Sequence, residues 1–231
     1  MARTQAMKKD HTAAGRRSLR AAPSAMPAKQ SHAQLGFIEA LGHAYRGLLH
    51  ALTQRNMKFH VVSAVLVGMV GSGIRLGLAE KVTLIFCVIL VFFAEILNTA
   101  LEALVDLHTE DYRDLAKITK DAAAAGVLVL ASGTVVIFAA LLVHNWDLVL
   151  TNENQCLRQA KWGFPLAGLA ALLLARWARP AWVDHLIFAV AMSIWAALWM
   201  WTVSWVFTTL TGVLVWLCWR ASRQPGQHAV P

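Results

Sequence analysis

Between Phe92 and Tyr112 the chain reads FFAEILNTALEALVDLHTEDY, an apolar run that acquires carboxylates at Glu95, Glu102 and Asp106. A charge inside a bilayer costs roughly 2.5–3.5 kcal/mol or more, so side chains of this kind within a span suggest function. At about 100° per residue, Glu95, Asn98, Glu102 and Asp106 fall within one helical arc of about 80°. That face must look at something other than lipid. An inter-helix salt bridge to Arg75 or a loop lysine would explain one carboxylate but not three on one face. Two chemistries remain. Carboxylate rows serve proton or ion pathways, and they hold hard divalent cations that bridge to phosphates. Lys120 and Asp121 follow near the end of the acidic face, and a lysine supplies positive charge to a phosphate. A proton path would continue ionisable groups across the bilayer, whereas here they stop at Glu95, with FCVILVFF beyond it. The pattern favours phosphoryl transfer over a non-catalytic transporter or scaffold. No GxxxxGK[ST] loop and no kinase-type Gly-rich loop occurs, which removes the known soluble nucleotide folds.

The elements that must position these residues follow from composition. Of 231 residues, 58% are hydrophobic and 15% charged, against about 25% charged in a typical soluble domain. Long uncharged runs make this an all-α integral membrane protein. The net charge is +8, and residues 1–30 hold seven Lys/Arg against Asp10 alone. Residues 1–34 therefore read as a disordered basic tail that anchors topology and touches anionic lipid. The tail has no apolar core of a secretory signal, so cleavage is not expected. Nothing in it supports a nucleic-acid partner. The three cysteines are scattered at 87, 156 and 218 and read as packing residues.

Leu35 to Leu52 alternates apolar residues with Glu39, His43, Arg46 and His50, the pattern of an amphipathic helix lying on the membrane surface. A polar break, TQRNMKFH, precedes a first span at Val61 to Ala79, whose Arg75 can snorkel. The second span, Val82 to about Leu107, carries the acidic face. HTEDYRDLAKITKD reads as a charged loop before a third span, Ala122 to Val143, whose AAAAG opening would let helices approach closely. The positive-inside rule puts the N-terminus and the Arg113/Lys117/Lys120 segment on the cytoplasmic side of an inner membrane. The acidic face then opens toward the cytoplasm.

Here AEILNTALEALVDL and EDYRDLAKITKDAAAAGVLVL, with GHAYRGL and TQRNMKFH upstream, resemble the prokaryotic diacylglycerol kinase/undecaprenol kinase family of small membrane lipid kinases, over about residues 36–143. The E-x-x-N-[ST]-A-x-E-x-x-x-D pattern is long and chemically unusual. The resemblance implies a surface helix plus three spans, a homotrimer with active sites between subunits, and ATP with Mg²⁺ acting on a lipid hydroxyl. It implies Glu95 as the catalytic base, and a carboxylate shielded from water suits that role. Asn98 resembles a hydrogen-bonding partner in the site and Glu102 the metal ligand under the ATP phosphates. Asp106, Asp111, Tyr112 and Arg113 resemble the nucleotide-contacting stretch, and Lys120 with Asp121 the phosphate and ribose or metal-water contacts. Tyr45 and Arg46 lie on the surface helix that closes over the nucleotide in the family; interfacial anchoring is an equal reading of them. Where many members carry Glu before Arg-Asn, this chain has Gln54. An amide carbonyl can ligate Mg²⁺ but adds no charge, so weaker metal binding or a dependence on Glu39 is expected. The LAKITKDAAAAGVL segment sits nearer the undecaprenol branch than the diacylglycerol branch.

Residues 35–145 thus form a lipid kinase domain complete in its motifs, and residues 146–231 a Trp-rich region of about three further membrane helices. All ten tryptophans lie in that region and read as interfacial belt and packing residues. Leu186 to Trp219 contains 34 uncharged residues, roughly 51 Å of helix and too long for one ordinary crossing. A tight helical hairpin is expected, giving six spans in all. A lipid phosphatase would need a histidine pair among clustered Lys/Arg, and only His185 stands near such a cluster.

Overall fold

The computed structural model describes residues 36–108, 114–175 and 179–224. The basic tail at 1–34 and the Asp111, Tyr112 and Arg113 segment lie outside the described residues. Among the described residues there are eight helices and no strand: α1 (Phe37–Leu52), α2 (Arg55–Gly73), α3 (Leu78–His108), α4 (Asp114–His144), α5 (Trp146–Thr151), α6 (Glu153–Leu173), α7 (Ala181–Trp199) and α8 (Trp205–Ser222). Three of them, over Leu78–Leu107, Asp114–His144 and Ala181–Trp199, are long and apolar enough to cross a membrane. Helices α2, α6 and α8 have 19, 21 and 18 residues, about 27–32 Å of rise, close to the ~30 Å hydrocarbon thickness.

Cross-links at the two ends show that the long helices run back and forth between them. At one end Arg220 Nε donates to the Tyr45 hydroxyl (3.2 Å), Arg179 pairs with Asp184 (2.5 Å), and Arg223 meets His185 (3.1 Å). At the other, the Val203 N–H donates to the Ser72 carbonyl (2.9 Å), Asn145 reaches Glu80 (2.5 Å), and Gln155 donates to the Trp201 carbonyl. Basic residues from α1, α8 and the α6–α7 connection therefore gather at one end, as the charge distribution required. Trp146, Trp199, Trp201 and Trp205 are exposed at the opposite end, the placement of an interfacial aromatic belt.

Several element bounds differ from the sequence expectation. The break after α1 is only Thr53 and Gln54, and Arg55 to His60 form the first turns of α2. That stretch contains no glycine or proline, so nothing stops the helix, and the exposed Arg55 can remain at water level. The first span ends at Gly73 rather than Ala79. The chain turns through Ile74 to Gly77 with Arg75 exposed, and the Gly77 N–H donates to Glu80 of α3 (2.6 Å). Helix α4 starts at Asp114, so Leu115 to Asp121 is helix and not loop. A carboxylate in its first turn complements the helix dipole, and good helix formers follow. The hairpin expected across Leu186 to Trp219 is present as α7 and α8, joined at Met200 to Ser204.

The main core is built around α2, and it comes largely from the Trp-rich half. Met57, Val61, Val65 and Met69 of α2 are buried with Leu166, Ala167, Ala170 and Leu173 of α6, Ala191 of α7, and Val215 and Cys218 of α8. Glycines set the close approaches. A Cβ on Gly68 would collide with the Thr211 hydroxyl, one on Gly71 would lie 2.7 Å from the Phe207 ring, and one on Gly163 2.8 Å from Met69 Cγ. Without a hydrophobic drive in lipid, this tight van der Waals contact is what holds helices together. In the AAAAG stretch of α4, Ala123 is half-buried and the helix packs along α3, but its glycine makes no such close approach. A Cβ on Gly126 would meet nothing within 4 Å, and Val127 is the one buried residue among those described on α4. Tryptophans serve packing as expected: Trp195 donates to the Thr208 carbonyl (2.7 Å), and Trp219 stacks on Phe188 at 4.6 Å.

Candidate active site

Helix α3 supplies the row of polar groups that the spacing predicted. Glu95 and Asn98 are each only 2% exposed, Glu102 is half-buried and Asp106 is exposed. The face accordingly emerges from the protein interior as it rises toward the end bearing the arginines. Asn98 Nδ2 donates to Glu102 Oε1 (2.9 Å), which fixes both side chains one turn apart. Asn98 Oδ1 is buried with no hydrogen-bond partner. A buried carbonyl left unpaired costs about 1–3 kcal/mol, a cost that a water or a ligand donor would relieve. Thr99 returns its hydroxyl to the Glu95 carbonyl (2.9 Å), leaving the polar row to the longer side chains.

Glu95 faces α2, where His60 Nε2 lies 3.9 Å from Glu95 Oε2. Sequence reasoning gave His60 no role. The signal was available, because His60 is the last ionisable residue before the apolar run of α2 and Glu95 the first after the apolar run of α3. The α2–α3 contact thus places two polar side chains side by side, so that Glu95 faces an imidazole.

At the exposed end, Lys120 Nζ donates to Asp106 Oδ1 at 2.5 Å. These two expected nucleotide contacts are thus brought together by the α3–α4 pairing. Asp121 is exposed on α4 beside Lys120. Tyr45 turns toward α8, where it stacks on Trp216 at 6.4 Å and accepts from Arg220. Arg46 pairs with His43 (3.0 Å), Glu39 is exposed, and Gln54 meets His50 through its amide (3.2 Å) while serving as the N-cap residue of α2.

Among the described residues no three His, Cys, Asp or Glu side chains converge as a metal cage. Mg²⁺ needs no such cage, since it keeps several waters and binds through one or two carboxylates plus substrate phosphates. Glu102, partly accessible beside the unpaired Asn98 carbonyl, offers the oxygen donors such an ion takes.

Comparison with known proteins covers the same stretch. The family model for prokaryotic diacylglycerol kinase matches residues 42–142. Undecaprenol kinase of Bacillus subtilis is 40% identical over 96 residues, 41% of this chain and 78% of the relative. Diacylglycerol kinase of Synechocystis sp. is 39% identical over 103 residues, 44% of this chain and 59% of the relative. Diacylglycerol kinase of Escherichia coli is 31% identical over 106 residues, 46% of this chain and 87% of the relative. No solved structure matches. The family match stops short of α5, and over α1 to α4 the chain belongs to the prokaryotic diacylglycerol kinase family.

Proposed function

We propose that this membrane protein is a lipid kinase that moves the γ-phosphoryl group of ATP to the hydroxyl of a membrane lipid. The observation that carries this reading is Glu95, a carboxylate 2% exposed within a membrane span, beneath Asn98 and Glu102 on a face that opens to the charged end. Glu95 accepts the proton of the lipid hydroxyl as its oxygen attacks the γ-phosphorus in line. The bond from that phosphorus to the β–γ bridging oxygen breaks, and ADP leaves. His60 holds the Glu95 carboxylate in place from α2. Asn98 fixes Glu102 through its amide N–H and presents its free carbonyl to the site. Lys120, held by Asp106, supplies positive charge for the phosphates, with Asp121 beside it. Asp111, Tyr112 and Arg113, in the segment between α3 and α4, complete the nucleotide contacts. Tyr45 contributes from the surface helix.

Magnesium, held by Glu102 with Gln54 as an uncharged donor, would neutralise charge developing on the phosphates. The working unit in this reading is a homotrimer. Helix α4 supports it by leaving Leu115, Ile118, Leu128, Val135 and Val136 exposed, alongside the exposed Gly126 of the AAAAG stretch, which permits close approach. The protein lies in the inner membrane with its N-terminus cytoplasmic, which puts the Arg-rich end and the ATP site on one side.

ATP turnover by purified protein in mixed micelles decides the matter, with undecaprenol, diacylglycerol or no lipid offered in parallel. Turnover that depends on one of the two alcohols is expected. Absence of turnover with either lipid would overturn the kinase reading and leave the acidic face to transport.

Gln54 provides a second measurement. Gln54→Glu adds Coulomb attraction to a nearby cation, so the Mg²⁺ concentration for half-maximal rate should fall by several-fold, about 1 kcal/mol at most for an exposed site. An unchanged or higher requirement would remove Gln54 from the metal's surroundings.

A further inference from the structure

We propose that the groove between α2, α3 and α8 seats one hydrocarbon chain of the lipid acceptor, so that α8, outside the family match, forms a wall of the substrate site. The inference rests on the lipid-kinase reading. The groove has a volume of about 420 Å³, within the range of small-molecule sites. Helix α2 contributes Ala64 and Gly68, α3 contributes Val88 and Phe92, and α8 contributes Leu210 and Leu214. No charged side chain lines it, and Thr211 is its one polar residue. The Thr211 hydroxyl donates to the Phe207 carbonyl (2.8 Å). Nothing in the lining therefore asks for a polar ligand, which suits hydrocarbon and excludes a nucleotide or a headgroup.

Two features identify the occupant. The first is register with the carboxylate. The α3 lining runs from Leu84 to Ile96, and Glu95 sits at its edge, one turn beyond Phe92 at i+3. A chain lying in the groove brings its hydroxyl-bearing end up to Glu95. The second is length. From Leu84, at the deep end of the lining, to Glu95 the helix rises about 16 Å, half the ~30 Å hydrocarbon thickness and so the depth of one leaflet. The glycines of α2 that bring α8 close are what place this wall. Gly68 borders the groove where it meets Thr211, and Gly71 receives Phe207 just below.

The test fills the groove from the side that carries no catalytic group. Leu210 is 44% exposed and Val213, also in the lining, 47%, so Leu210→Trp and Val213→Trp add bulk without overpacking the core. In full-length protein the KM for the lipid alcohol should rise about tenfold, the scale of a disturbed apolar pocket, with the KM for Mg-ATP and the oligomer mass unchanged. In parallel, a lipid alcohol bearing a diazirine in its chain should label peptides from 205–222, and unlabelled alcohol should compete. An unchanged lipid KM in both variants, or labelling confined to α4, would overturn the proposal. So would oxidative cross-linking of Leu210→Cys between protomers, which would put a second copy in the groove. If the unmodified protein turns over no ATP with any lipid, the kinase reading fails, while the photolabelling still decides whether the groove takes a chain.

Discussion

Replacing Glu95 by Gln is expected to lower lipid-dependent ATP turnover by about 10²–10⁴-fold, the usual contribution of a positioned general base, while Mg-ATP still binds. The amide keeps the shape of the side chain and its contact with α2, and it removes only the ability to take the hydroxyl proton. Folding should not suffer, because a neutral amide is cheaper than a carboxylate at this depth. Glu102→Gln should behave differently. Glu102 is less buried, nearer the charged end, and accepts from Asn98, so in the proposed mechanism its charge acts on the nucleotide and its cation. Mg-ATP binding should weaken together with turnover. Nucleotide affinity measured directly, beside steady-state rates at saturating lipid, separates the two outcomes. Small and equal effects of both substitutions would sink the assignment of a base and a metal ligand along α3.

The second large effect is expected from removing residues after Asn145. The motifs predict a self-sufficient unit over 35–145, since every polar group of the proposed mechanism lies within it. The packing argues otherwise. Met57, Val61, Val65 and Met69 of α2 are buried against α6, α7 and α8, and the α7–α8 turn holds the C-terminal end of α2 through the Ser72 carbonyl. Truncation strips this contact from α2, the helix that carries His60, while α3 keeps α1, α2 and α4 as its partners. Displacement of a catalytic group by about 1 Å costs about a hundredfold in rate, and a loss of that size is expected. The oligomer should change size or aggregate. Kinase activity and detergent-corrected mass of the truncated protein give the answer. A fully active, monodisperse trimer would show that the second half is dispensable. An inactive but monodisperse trimer would mean that the second half supplies part of the site, as the groove wall on α8 does.

The candidate site was largely legible because its grammar is local. Glu95, Asn98, Glu102 and Asp106 share one helix, so helical periodicity alone aligns them, and the structure keeps them on one emerging face. The Lys120–Asp106 pair was half legible. Both residues were candidates, but their contact depends on α4 beginning at Asp114 and lying along α3. His60 was missed, since nothing in a one-dimensional pattern says which side of α2 meets Glu95.

The sequence by itself determined the class of molecule, the surface helix, the membrane helices, the hairpin near the C-terminus and the acidic face, because each depends on apolar length, periodicity or charge within one segment. Only the tertiary structure decided which helices pair. Gly126 of the AAAAG stretch stays exposed, while Gly68, Gly71 and Gly163 mediate the tight packing. Tyr45 rests on Trp216 and Arg220 of the Trp-rich half, a contact that no pattern within α1 shows. In a bilayer the spanning helices are apolar over most of their surface, so hydrophobicity cannot select partners. Shape selects them, through the match of a missing side chain on one helix to a bulky one on another, and that match exists only when the helices are assembled.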